Sequence, residues 1–238
     1  MGEIMEYSVI EESSESGVFW NWKTTLKIYV IVVLLMFFVG SFLQLLNLYI
    51  GMVISELLIA GPVLVYLYRK KADMSVLGIT FDKGLLKDFV YAVIGFVVGY
   101  PLATIAAVLT EYILGPSPFG ELYADLLTPK SMLDLIIWLA IMGFAVAPCE
   151  EIFARGFVQQ GMENSFGKTK GLIIASILFG ALHMDPWRIP ATATLGLVFG
   201  YIYQKRNYRL TAPIITHFLN NAFIIVLLYL IYTGSIMI

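Results

Sequence analysis

The chain has 238 residues, of which 59% are hydrophobic and 13% charged, with a formal net charge of −2 and a mean hydropathy of +0.84. A soluble domain carries about 25% charged residues, so these figures exclude an ordinary water-soluble globule and point to a chain built for lipid. The charge gives no reason to expect a nucleic-acid partner, and the lone Cys149 excludes an internal disulfide and any cysteine-based zinc cluster.

In chain order, Met1–Ser16 carries Glu3, Glu6, Glu11, Glu12 and Glu15 where a cleavable signal peptide would need a basic segment. The expectation is a cytoplasmic tail over residues 1–24, followed by a single transmembrane domain over 25–238. Crossing a bilayer takes roughly 20 apolar residues. Seven windows meet or approach that length, namely Ile28–Leu46, Met52–Tyr68, Phe89–Leu114, Leu133–Gly161, Gly171–His183, Ile189–Tyr203 and Thr211–Thr233. Only helices and closed barrels satisfy their backbones in lipid, and none of these runs alternates with period two. The predicted fold is therefore all-α, a polytopic membrane bundle of seven transmembrane helices. The fourth window exceeds one membrane thickness, so its second half should extend into the cytoplasmic interface. The fifth and sixth are short, which leaves room for an eighth span or a re-entrant piece.

Basic residues orient the bundle. Lys23, Lys27, Arg69, Lys70, Lys71, Lys83, Lys87, Lys168, Lys170, Lys205, Arg206 and Arg209 fall on one face, and only Lys130 and Arg188 on the other. The predicted N-terminus is cytoplasmic, and a multi-pass protein of a prokaryotic plasma membrane is expected. Ala72–Asp88 mixes apolar and basic residues and is expected along the cytoplasmic interface. GFVVG at Gly95–Gly99 and GLVFG at Gly196–Gly200 match the GxxxG spacing of close helix packing. No internal repeat relates the two halves, which weakens a transporter built on inverted repeats.

Charge reappears abruptly in Ala147–Phe157, APCEEIFARGF, after fifteen uncharged residues. A charge at the bilayer centre costs roughly 2.5–3.5 kcal/mol on insertion scales, so such residues are functional candidates. Glu151 and Arg155 are spaced i, i+4 and can neutralise one another; Glu150 points about 100° away and is left free for chemistry. The two histidines of the chain also fall in expected spans, His183 ending FGALH and His217 opening HFLNN, with Asn221 on the same helical face as His217. At 1.5 Å per residue, Glu150, His183, His217 and Asn221 lie roughly 16, 20, 12 and 18 Å below the basic face. Both histidines could then meet Glu150 at one depth, open to the cytoplasm.

EEIFAR, FGALH and HFLNN match the ordered EExxxR, FxxxH and HxxxN motifs. Over about 131–233, the motif-bearing core, the chain resembles the CPBP (Abi) family of intramembrane proteases, which includes type II CAAX prenyl endopeptidases and bacteriocin-processing enzymes. The resemblance implies that Glu150 and His183 activate a water, that His217 and Asn221 stabilise the oxyanion, and that Glu151 and Arg155 support the site. It implies an eight-helix core, and members of the family cleave prenylated C-terminal tails; the expected partners are membrane lipid and a peptide substrate cut near the cytoplasmic side, with no cofactor favoured and zinc the alternative.

The residue types suit peptide hydrolysis in their own right. A carboxylate in an apolar cavity can take a proton from water near neutrality, and positioned N–H donors can meet the developing oxyanion. Three alternatives stand beside this. Glu150, His183 and His217 would make a His₂Glu zinc set, although no HExxH helix is present. Cys149 could act as a nucleophile, but apolar surroundings keep a thiol inert, and packing is its expected role. A proton-coupled transporter or a non-enzymatic immunity or scaffold protein would also use buried Glu and His. Glu56 and Glu111 are expected at span ends in reach of water, Asp185 and Arg188 at a capped turn, and Trp138 and Trp187 at the interfaces.

Overall fold

The structure, a computed structural model, describes residues 17–79 and 84–236. The acidic stretch within Met1–Ser16, and Lys83, lie outside the described residues. What is described is helical throughout. The eight helices are α1 Trp22–Leu46, α2 Leu48–Arg69, α3 Leu85–Leu114, α4 Gly120–Leu127, α5 Met132–Phe166, α6 Lys168–Ala181, α7 Ile189–Lys205 and α8 Thr211–Tyr232. Five of them (α1, α2, α3, α5 and α8) are long and apolar enough to cross a membrane. The chain is a multi-pass helical membrane protein. Two of the expected spans are shorter, α6 with 14 residues and α7 with 17, and they fold on each other as a hairpin.

Local chemistry sets the helix ends. Asn21 opens α1 by accepting from the Lys23 and Thr24 amides, and Asn47 does the same for Ile50 at the start of α2. Ser131 caps α5 through the Asp134 amide, while Asp134 accepts in return from the Lys130 amide at 2.7 Å; such reciprocal caps satisfy the amides a helix start leaves free. Asp134 also accepts from the Tyr49 hydroxyl. Gly167, at φ 79°, ends α5 and turns the chain into α6.

Helix α5 runs through the centre and touches α1, α2, α6, α7 and α8, and α3 packs on α7 and α8. Both GxxxG segments sit at these close approaches. An added Cβ at Gly95 would meet Ile202 at 2.2 Å, one at Gly196 the Ser176 backbone at 3.0 Å, and one at Gly200 the Leu172 side chain at 2.4 Å. The lipid-facing surfaces carry Phe38, Leu45, Val97, Tyr112 and Phe144, all more than half exposed.

The basic loops gather at one end, and that end is tightly packed. Asp88 is fully buried and pairs with Arg206 at 2.6 Å and Arg209 at 2.9 Å. Gly78, at φ +83°, lies against the Tyr208 carbonyl, where a Cβ would sit 1.8 Å away, and its own carbonyl accepts from the Leu210 amide. Ala72–Asp88, expected along the interface, is docked onto the bundle end in its described part: Gln160 donates to Val76 and Tyr203 to Leu77. Burial and a hydrogen bond to Glu163 push the Tyr208 phenol up. The end of the expected tail packs onto the bundle. Trp20 is 1% exposed, stacks on Phe157 and donates to its carbonyl at 3.0 Å. Trp138, expected at an interface, is equally buried and packs edge-on against Tyr49. Its size fills the space between α2 and α5.

Candidate active site

Glu150 and Glu151 sit on a short α-helical stretch, Ala147–Glu151, between two wider π-type segments of α5, Met142–Val146 and Ile152–Gln159. Such widened turns interrupt the i→i−4 ladder and recur at functional sites, and Pro148 removes one more amide from that ladder. Both glutamates are turned inward, Glu150 at 9% and Glu151 at 0% exposure.

Glu151 is held from two sides. Its Oε2 accepts from Arg155 Nε at 2.8 Å, and its Oε1 accepts from His217 Nδ1 at 3.0 Å. Arg155 is fully buried, and its guanidinium lies over the Phe179 ring at 4.6 Å and the Phe199 ring at 5.8 Å. Aromatic faces attract a desolvated cation, so the phenylalanine that opens FGALH, together with Phe199, serves the arginine. The Nδ1 of His217 is thus held by Glu151, which orients an imidazole as well as balancing Arg155. Glu150 Oε2 is buried with no hydrogen-bond partner among the described residues.

His183 lies in the turn past the last residue of α6, Ala181, rather than within a span. Its Nδ1 is 3.1 Å from the Phe179 carbonyl oxygen. A carbonyl only accepts, so Nδ1 carries the proton and Nε2 keeps a lone pair. Asn221, one turn beyond His217 on α8, accepts at Oδ1 from Asn220 Nδ2 over a long 3.4 Å, which leaves its own NH₂ free to donate. Asp185 caps the turn by accepting from the Trp187 amide at 3.0 Å, and the Trp187 indole donates to the Gly115 carbonyl.

Glu150, His183, His217 and Asn221 line one cavity of about 330 Å³. Glu151 and Arg155 stand behind its wall. Two more charged residues reach it. Arg188 lines the cavity with its guanidinium 4.9 Å from the Tyr123 ring centre. Glu56, expected in reach of water, is 3% exposed and lines the same cavity, its Oε2 also without a hydrogen-bond partner among the described residues. An acid inside an apolar span such as α2 has no lipid-compatible reason to be there, and that signal in the sequence pointed inward. Cys149 is buried. Among the described residues no group of three or more His, Cys, Asp or Glu side chains placed to hold a metal ion is found.

Toward the bundle end away from the basic loops the cavity is lined by Ser41 and Gln44 of α1, Leu48 of α2, Tyr123 and Leu126 of α4, and Met184 in the turn after α6. On the basic side the site is closed by packing, since every residue from Phe153 to Met162 of α5 is buried.

Two carboxylates in one cavity call for separate tests. Glu56→Gln keeps the shape and should retain activity within about tenfold, whereas loss of a general base costs about 10²–10⁴-fold. Peptide-cleavage rates of the two single Gln variants decide this; a collapse at Glu56 with tolerance at Glu150 would move the base to Glu56.

Fold and cavity together define a multi-pass helical membrane protein whose interior holds a Glu, two His and an Asn around one void. Residues 132–223 match the family described as Type II CAAX prenyl endopeptidase Rce1-like, the segment that carries all three motifs. The relative named Putative membrane peptidase YdiL, from Bacillus subtilis (strain 168), is 24% identical over 141 residues, 59% of this chain and 56% of that protein. The chain therefore aligns with little more than half of that relative. No solved structure matches.

Proposed function

We propose that the chain is an intramembrane endopeptidase in which Glu150 and His183 activate water and His217 and Asn221 receive the oxyanion. The observation that carries this reading is the convergence of these four side chains, from two helices and a turn, on one cavity. In the proposed sequence Glu150 takes a proton from a water whose second hydrogen points at His183 Nε2. The water oxygen attacks the scissile carbonyl carbon, and the resulting oxyanion accepts from Asn221 Nδ2 and His217 Nε2. Glu150 then returns its proton to the leaving amine as the C–N bond breaks. His217 already donates from Nδ1 to Glu151, so its Nε2 can donate only when the ring is doubly protonated. With that imidazolium, Glu150, Glu151, Arg155 and His217 sum to zero charge, which suits a site removed from water.

The N-terminus and the basic loops are assigned to the cytoplasm on the charge bias, in a prokaryotic plasma membrane. The substrate is a peptide segment at the membrane; a lipidated C-terminal tail is one candidate, and purified protein given farnesylated and unmodified peptides discriminates the two.

An oxyanion donor acts only in the transition state, so its loss lowers kcat and kcat/KM together and leaves KM nearly unchanged. Asn221→Ala should cost about 10²–10³-fold, and Asn221→Asp more, because a carboxylate repels the developing charge. Steady-state kinetics on a peptide check this; a raised KM with intact kcat, or an active aspartate variant, contradicts the role.

The proposed chemistry is glutamic rather than metal-dependent. Activity should survive prolonged chelation, and elemental analysis of the active protein should find no stoichiometric zinc. Zinc whose removal and return track activity would make Glu150, His183 and His217 ligands instead.

A further inference from the structure

We propose that Arg188 reads a carboxylate on the substrate, so that the peptides this cavity cuts carry one, as a free C-terminus or an acidic side chain, close in sequence to the scissile bond. The inference deepens the endopeptidase reading of the same cavity and rests on it for what is bound.

Arg188 ends the turn from α6 to α7, and its backbone is engaged there. Its amide donates to the Asp185 carbonyl at 3.0 Å, and its carbonyl accepts from the Thr192 amide at 3.0 Å and the Thr192 hydroxyl at 2.7 Å. Its side chain has no such task. The guanidinium lies 4.9 Å from the Tyr123 ring centre, and among the described residues it makes no hydrogen bond and no ion pair. The other arginines in packed surroundings differ: Arg155 holds Glu151, and Arg206 and Arg209 hold Asp88. Lys130, the other basic residue of that bundle end, pairs with Asp125 at 2.7 Å. Asp185, three residues before Arg188, gives one oxygen to the Trp187 amide and keeps the other buried without a partner among the described residues. Arg188 is thus a cation on a cavity wall whose counter-charge the described residues do not supply.

The cavity sets where the missing anion belongs. Arg188 lines the same void as Glu150, His183, His217 and Asn221, and its charge acts on both Glu150 and His183. At about 330 Å³ the void is at the small end of the roughly 300–1,000 Å³ typical of ligand sites. The group that meets Arg188 and the carbonyl attacked beside Glu150 are therefore parts of one short stretch of peptide. A guanidinium presents paired N–H donors in the fixed geometry a carboxylate accepts, and the Tyr123 ring steadies the cation. A peptide amide or a hydroxyl offers it no charge to balance. An anchor of this kind acts alike before and during the reaction, so its loss raises KM and leaves kcat nearly unchanged. That is the opposite of the pattern expected for the oxyanion donor Asn221.

Three versions of one peptide, chosen from a library by its binding to the full-chain Glu150→Gln protein in lipid nanodiscs, test this. They are the free C-terminal carboxylate, the C-terminal amide, and the amide with a glutamate placed near that end. Binding to Glu150→Gln is followed by fluorescence anisotropy, and cleavage by the parent through steady-state kinetics. Amidation should weaken Kd and raise KM by about 10- to 100-fold, the scale of hydrogen bonds to a charged group, with kcat little changed. Adding Arg188→Gln should abolish the distinction between carboxylate and amide. Recovery by the glutamate assigns the side chain as the source of the carboxylate, and no recovery assigns the C-terminus. Arg188→Lys keeps the charge without the paired donors and should fall between; it serves in place of Arg188→Gln should that variant fail to fold. A parent that does not distinguish the three peptides, or a preference undiminished in the Arg188 variants, overturns the inference. So does an equal loss of kcat on all three peptides, which would make Arg188 a support for Glu150. Carboxylate-dependent binding through Arg188 with no cleavage of any version would keep the site and overturn the endopeptidase reading.

Discussion

Replacing Glu150 by Gln should remove peptide cleavage, a loss of at least the 10²–10⁴-fold that a positioned general base contributes, with no loss of folded protein. Glutamine occupies nearly the same volume, and the carboxylate it replaces has a buried oxygen, Oε2, without a partner among the described residues, so that position gives up no protein hydrogen bond. Only the capacity to take and return a proton disappears. Yield, monodispersity and thermal unfolding in detergent should match the parent, while cleavage of a reporter peptide falls to background. A variant that cleaves normally would remove Glu150 from the mechanism.

The neighbouring glutamate should behave differently. Glu151→Ala leaves Arg155 buried at 0% exposure without its carboxylate and His217 Nδ1 without its acceptor. Removing one partner of a buried ion pair costs about 3–5 kcal/mol, a large share of the roughly 5–15 kcal/mol that holds a typical domain together. Folded yield and thermal stability should therefore drop along with activity. The double variant Glu151→Ala/Arg155→Leu removes both charges and should recover much of the stability while staying inactive, because His217 is still unheld. Equal stability of Glu150→Gln and Glu151→Ala, both inactive, would reject the structural part of the Glu151 role.

Hydrophobic windows located the long helices because lipid leaves the backbone no alternative to internal hydrogen bonding. The motif residues were legible for the complementary reason, that charge in such a chain is costly and therefore placed. What was hidden depends on tertiary packing. Spacing allowed His217 to meet Glu150, but that its Nδ1 is held by Glu151 depends on how α8 packs against α5. Glu56 looked like a span-end acid until α2 was packed against α5 and the cavity closed around it. The eight-residue α4 is too short and too weakly apolar to register as a span, yet Tyr123 and Leu126 form part of the rim. The packing between α5 and the basic loops was not readable from the sequence, because it brings together Trp20, Phe157 and Tyr203, far apart in the chain.

The central claim is that this cavity hydrolyses peptide bonds through Glu150. Its most direct test is mass spectrometry of a peptide library incubated with the purified full chain in lipid nanodiscs, beside Glu150→Gln prepared identically. Discrete new termini produced by the parent and absent from the variant are predicted. Folded parent protein that generates no new termini, or identical termini from both preparations, would contradict the account.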